Sequence, residues 1–184
     1  KPEKQVDGVA AVSQPTVLTL KTAVIVGAGY TCYDLWHWAN GLLTQNIRDF
    51  SGRDSSKEKL LAYLASEDTD EAYFALEYLG KRQIAERAVF AAVIARCKEG
   101  DSSLVTPTLS YLRQVAASDQ VYYDSVVDLF SAPDSKRRLL ILKELMSDSR
   151  KPVAGFHDHL CDYLPSLESY FEVHLFLTLM EKQY

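Results

Sequence analysis

From Ser55 onward, helix-capping side chains stand ahead of apolar runs again and again, and this punctuation leaves room only for short helices. Ser55 and Glu58 have the spacing of a capping box before Leu60, Leu61, Tyr63 and Leu64. Asp68 and Glu71 repeat it before Tyr73, Phe74, Leu76 and Leu79, with Gly80 placed as terminator. Residues 84–96 are apolar almost all round through Ala88, Val89, Phe90, Val93 and Ile94, the pattern of the most buried helix of a domain, closed by Gly100. Thr106-Pro107 gives a cap and a first-turn proline before Leu109, Leu112 and Val115. Ser118-Asp119 introduces Val121, Tyr122, Val126, Val127, Leu129 and Phe130, and Pro133-Asp134-Ser135 opens a run from Leu139 to Met146. After a break at 149–152 come residues 156–164, and Pro165-Ser166 starts a last helix through Tyr170, Phe171, Val173, Leu175, Phe176 and Leu179.

Connections of a few residues force neighbouring helices to run antiparallel. The expected fold class is all-α: stacked antiparallel helical hairpins, α-solenoid-like or an irregular helical bundle, preceded by an apolar N-terminal helix. Units beginning near Lys57, Gln83, Asp119 and Val153 are spaced, after an uneven first step, in the low-to-mid thirties, within the repeat lengths of roughly 33 to 47 residues seen in helical solenoids. The tetratricopeptide consensus positions are not present. Leu60, Leu64, Leu76, Val89, Val93, Leu112, Val126, Leu142 and Leu175 are the expected core positions.

The chain is read as a flexible arm (1–15), an apolar helix (16–43), a linker (44–54) and a helical domain (55–184). Residues 17–38, VLTLKTAVIVGAGYTCYDLWHW, permit three readings. In the first, Val24-Ile25-Val26 and Gly27-Ala28-Gly29 resemble the opening of the Rossmann dinucleotide-binding fingerprint, with Asp49 roughly 20 residues on. Cys32 stands where the third glycine packs helix on strand, and no later run alternates as a parallel sheet requires.

In the second reading a span of roughly 20 residues crosses a bilayer. Lys21 lies near one end and Asp34 near the other, while Tyr30, Tyr33, Trp36 and Trp38 form an aromatic belt. Ala23 and Gly27 make a small-xxx-small pair for close helix approach. The stretch 22–33 is uncharged but only about a dozen residues long, a length more typical of a buried helix. That is the third reading, an apolar segment packed in its own fold or a partner's. Without other strands to pair with, 17–38 is expected to be one continuous helix.

A net charge of −5 argues against nucleic acid as the main partner. Lys136-Arg137-Arg138 and Arg150-Lys151 are too short to overturn that and are expected to face solvent or neutralise helix ends. Three widely separated cysteines, Cys32, Cys97 and Cys161, make no disulfide framework and favour a reducing compartment, membrane-associated or cytoplasmic. The chain opens at Lys1 and is expected to be a processed form.

For chemistry, His157 and Cys161 stand one helical turn apart, as metal ligands or a thiol–imidazole pair would. His159 points elsewhere, and no motif joins His37 or His174 to the pair. The acidic run 67–71 lacks the glycine and final glutamate of a calcium loop and fits helix capping. The 11 tyrosines suit core edges and partner surfaces. Spacing alone assembles no acid, base and nucleophile. The expectation is therefore a non-catalytic scaffold or adaptor without cofactor or metal, binding protein partners and membrane-anchored if the N-terminal helix spans. A soluble inhibitor or immunity-type binding protein is the alternative. An enzyme using the Gly27–Gly29 turn or the His157/Cys161 pair is the minority reading.

Overall fold

The computed structural model describes residues 28–183, and the chain divides by its internal contacts into two compact units at Phe50 and Ser51. Every regular element of the described residues is helical. The part of the expected continuous helix at 17–27, and the arm 1–15, lie outside the described residues.

In the first unit, α1 (Ala28–Asn40) stops at Gly41 and α2 (Leu42–Asp54) begins at once. A Cβ on Gly41 would lie 2.2 Å from the His37 carbonyl oxygen, so the tight break needs a residue without one. The carbonyls orphaned at the end of α1 are taken up locally. Asn40 Nδ2 donates to Trp36 O, and the Thr44 hydroxyl bonds to Ala39 O at 2.7 Å. The expected linker 44–54 is thus helix. Leu43, Ile47 and Phe50 hold helical i, i+4, i+7 spacing, which the polar residues between them obscure in the sequence.

The second unit continues with α3 (Lys57–Leu64), α4 (Thr69–Lys81), α5 (Arg87–Glu99), a 3₁₀ turn (Ser102–Leu104), α6 (Val105–Val115), α7 (Asp119–Phe130), α8 (Ser135–Ser147), α9 (Phe156–Cys161), a 3₁₀ turn (Leu164–Ser166) and α10 (Tyr170–Gln183). Asp68, Ser118 and Asp134 cap their helices as the sequence implies, each accepting from a first-turn backbone N–H. Because α2 runs to Asp54, Ser55 instead bonds to the Ser51 carbonyl and Ser56 caps α3. Gly80 lies within α4, buried beside Gln114, rather than ending it. The last helix starts at a Ser169–Glu172 capping box instead of Pro165-Ser166.

Alternate helices touch. One row runs α3, α5, α7, α9 and the other α4, α6, α8, α10, with α3 packed closely along α4. Between the rows lie Leu60, Leu76, Tyr78, Leu79, Val93, Leu109, Tyr111, Leu112, Tyr122, Leu129, Phe130 and Ile141, all nearly fully buried. Of the expected core positions only Leu175 misses: it is half-buried, while Phe176 and Leu179 point inward. The expectation that 84–96 is the most buried helix also fails. In α5 only Val89, Val93 and Cys97 are buried, and Ala88, Ala91 and Ala95 face outward. Alanine reads as apolar in a pattern yet costs little to expose, so it does not fix which face is inside.

Buried and half-buried arginines and tyrosines bind loop and helix-end carbonyls of neighbouring helices. Arg96 donates to Leu64 O and Ser66 O at 3.0 and 2.8 Å, and Arg137 to Gly100 O at 3.0 Å. Arg138 bonds Phe130 O and Ser166 O, Tyr73 bonds Ser103 O, and Tyr111 bonds Ile84 O. Of the basic trio, Lys136 faces solvent while Arg137 and Arg138 are buried at helix ends.

Candidate binding surfaces

The residues singled out at the N-terminus divide in two. Lys21, Ala23 and Gly27 lie outside the described residues. Tyr30, Tyr33, Trp36 and Trp38 sit on α1 and are 82%, 61%, 60% and 67% exposed. His37 lies edge-on to Tyr33 and Trp36, with ring centroids 4.2 and 5.1 Å apart. Leu42, Leu43, Ile47 and Phe50 of α2 are exposed too, and reading the stretch as a linker missed them. The first unit thus leaves large apolar and aromatic side chains of both its helices exposed. Among the described residues no helix is long and apolar enough to cross a membrane.

The glycine turn does not take the dinucleotide geometry where it is described. Gly29 and Cys32 lie inside α1 and Asp49 inside α2, with no strand among the described residues to precede them. His157 and Cys161 share the six-residue α9. Cys161 is exposed, whereas His157 is half-buried, and burial holds its imidazole below the ordinary histidine pKa. His159 is exposed, and His174 stacks on Tyr170 at 5.9 Å between centroids. Among the described residues no three His, Cys, Asp or Glu side chains gather as a metal site. Cys97 is buried beside Thr108 and Arg137, and that burial pushes its thiol up, away from the reactive thiolate.

What the fold assembles instead is a groove of about 570 Å³ between α5 and α7. Phe90, Ala91, Ile94 and Ala95 supply one wall and Val121 with Ser125 the other. Lys98, Glu99, Asp124 and Asp128 line the rim, where Lys98 Nζ and Asp128 Oδ1 lie 2.6 Å apart. The packing of α3 and α6 behind α5 turns Val89, Val93 and Cys97 inward, and the same helix must then turn its alanines outward. Sequence pattern hid this groove by making both faces of α5 look like core. The outward stripe of small residues 91 and 95, four apart, was the available signal.

A second cleft, about 630 Å³, lies where residues 148–158 meet Lys182. His157 lines it, and its Nε2 is buried without a hydrogen-bond partner. Comparison with protein-family models, with curated proteins and with solved structures finds no match to this chain.

Proposed function

We propose that residues 51–183 form a non-catalytic protein-binding module, an α-solenoid-like stack of helical hairpins acting as a scaffold or adaptor. The two rows of alternately touching helices support the repeat reading. The observation that carries the function is the α5–α7 groove, an apolar trough with small residues on its α5 wall and an acid-rich rim. An amphipathic helix of a partner protein fits it. Large apolar side chains would seat against Phe90, Ile94 and Val121, the partner backbone would approach over Ala91 and Ala95, and lysines or arginines would meet Glu99, Asp124 and Asp128. In the first unit, the exposed aromatics of α1 and α2 favour attachment to a second apolar surface, a membrane interface or another protein.

The groove reading is tested by selecting binders from a display library of helical peptides. Enriched peptides should carry an i, i+4, i+7 apolar face flanked by basic residues. Ala91→Trp or Ala95→Trp should abolish their binding while urea stability is kept, since both sites are exposed. His157→Ala with Cys161→Ala should leave it intact. Peptides that bind both groove variants unchanged, or that are lost with the His157/Cys161 pair in a folded protein, would overturn the reading. Vesicle flotation of the full chain, with and without Trp36→Ala and Trp38→Ala, separates a membrane partner from a protein partner for the first unit.

A further inference from the structure

The turn after α8 folds residues 148–155 against the start of α9, and the end of α10 comes alongside. Arg150, Lys151, His157 and Lys182 thereby line one cleft with Asp148 and Asp158. The charges do not cancel. Asp148 is engaged from within the protein: Arg150 bonds it through its backbone N–H, Nε and Nη2, and Arg113 Nη2 lies 3.4 Å away. Burial alone would push that carboxyl up, but the bonds from Arg150 and the charge of Arg113 outweigh it and hold it below the usual range. The Arg150 guanidinium lies over the Tyr122 ring at 4.7 Å.

Lys151 and Lys182 have no carboxylate partner among the described residues. Lys182 Nζ donates to Met146 O at 2.7 Å, which holds its ammonium at the rim. Asp158 is exposed and is the one remaining carboxylate of the lining. On a chain of net charge −5, this cleft gathers surplus positive charge.

His157 is the second observation. His157 lines the cleft, and its Nε2 is buried and has no partner. A buried polar atom without a partner is unfavourable, so an oxygen that a turn of the imidazole admits to it has more to gain than at a solvated surface.

We propose that the cleft binds the phosphate group of a small phosphate monoester, with Lys151, Lys182 and His157 Nε2 as its donors. Three separate donors match the three terminal oxygens of a monoester, and two ammoniums match its dianion. A carboxylate has neither the third oxygen nor the second charge. At about 630 Å³ the cleft exceeds a bare phosphate, and Pro152, Val153 and Ala154 offer the ester's organic part an apolar wall. This site is independent of the groove between α5 and α7.

Amide NMR titration of the full chain, at neutral pH and constant ionic strength, tests the idea with phenyl phosphate, inorganic phosphate and acetate. Phenyl phosphate should shift residues 149–158 and 182 selectively and bind more tightly than inorganic phosphate, with acetate far weaker. Lys151→Ala and Lys182→Ala, both at exposed sites, should each weaken phenyl phosphate roughly tenfold. His157→Phe should weaken it comparably while keeping an aromatic ring in place. Equal binding of acetate overturns the proposal. So do shifts scattered over surface lysines, inorganic phosphate bound more tightly than the ester, or folded lysine variants of unchanged affinity.

Discussion

Arg138 and Glu172 join α8 to the start of α10 with both side chains out of water, 6% and 0% exposed. One carboxylate oxygen of Glu172 accepts the backbone N–H groups of Glu168 and Ser169, and the other lies 3.9 Å from Arg138 Nη1 without a hydrogen bond. The guanidinium also serves Phe130 O and Ser166 O, at 3.2 and 2.7 Å. Arg138→Met fills similar volume but leaves a buried carboxylate without its cation and two carbonyls without their donor. Breaking a buried pair from one side costs about 3–5 kcal/mol, a large part of the stability of a domain this size. With a urea dependence near 2 kcal/mol per M, the unfolding midpoint should fall by about 2 M.

Glu172→Gln keeps an acceptor for the two backbone groups and removes the charge, so it should cost about 1–2 kcal/mol. The double variant buries no unpaired charge. It should be less destabilised than the sum of the singles, with a coupling of about 1–3 kcal/mol. A midpoint shift below about 0.5 M for Arg138→Met, or strictly additive costs, would refute the view that this pair fastens α10 to the stack.

Gly52 faces the Tyr78 ring so closely that an added Cβ would lie 2.3 Å from its carbons. Gly52→Ala should therefore lower the urea midpoint by about 1–3 kcal/mol equivalent, although alanine's helix propensity alone would raise it by about 1 kcal/mol, so the sign decides. Burial pushes the Tyr111 hydroxyl up to about 12, against about 10 in an unfolded chain. Below the unfolded value both states hold the proton and stability is whole. Between the two values the unfolded chain releases it first, so stability falls as pH rises through that window. Tyr111→Phe should lose about 1 kcal/mol at neutral pH with its bond to Ile84 O, yet decline less between those pH values than the parent. Equal alkaline slopes in urea titrations would count against it.

Where a polar side chain served a local purpose, its role was legible. Asp68, Ser118 and Asp134 cap helices whose apolar runs the sequence also displays. Readings failed where a residue's meaning depended on partners distant in sequence. Gly80 looks like a terminator until Gln114 packs over it, and Arg137 looks solvated until the Gly100 carbonyl comes within reach. The register of α10 turned on Phe176 and Leu179 competing with Leu175 for one inward stripe, a contest decided by the packing of α10 on α8. Both candidate sites suffer the same way. Phe90 and Ile94 belong to the groove only because Val89 and Val93 take the core. Lys182 joins Lys151 and His157 only because α10 returns along α8.

The carbonyl tethers bear directly on whether the groove can bind. An apolar surface held on mobile helices spends part of its contact energy on being ordered when a partner arrives. Here α5 is fastened before any partner comes: Arg96 ties it to the end of α3, Arg137 holds the Gly100 carbonyl at its own C-terminus, and Lys98 reaches Asp128 on α7. The surface pair is worth little alone, at most about 1 kcal/mol. The two arginine tethers, Arg137 buried and Arg96 half-buried, satisfy carbonyls that a helix end otherwise leaves open. The α5 wall of the groove is thus held by arginine contacts outside it, so Ala91 and Ala95 are free to face a partner. That separation of support from surface explains why α5 can expose Ala91 and Ala95 without loosening the stack.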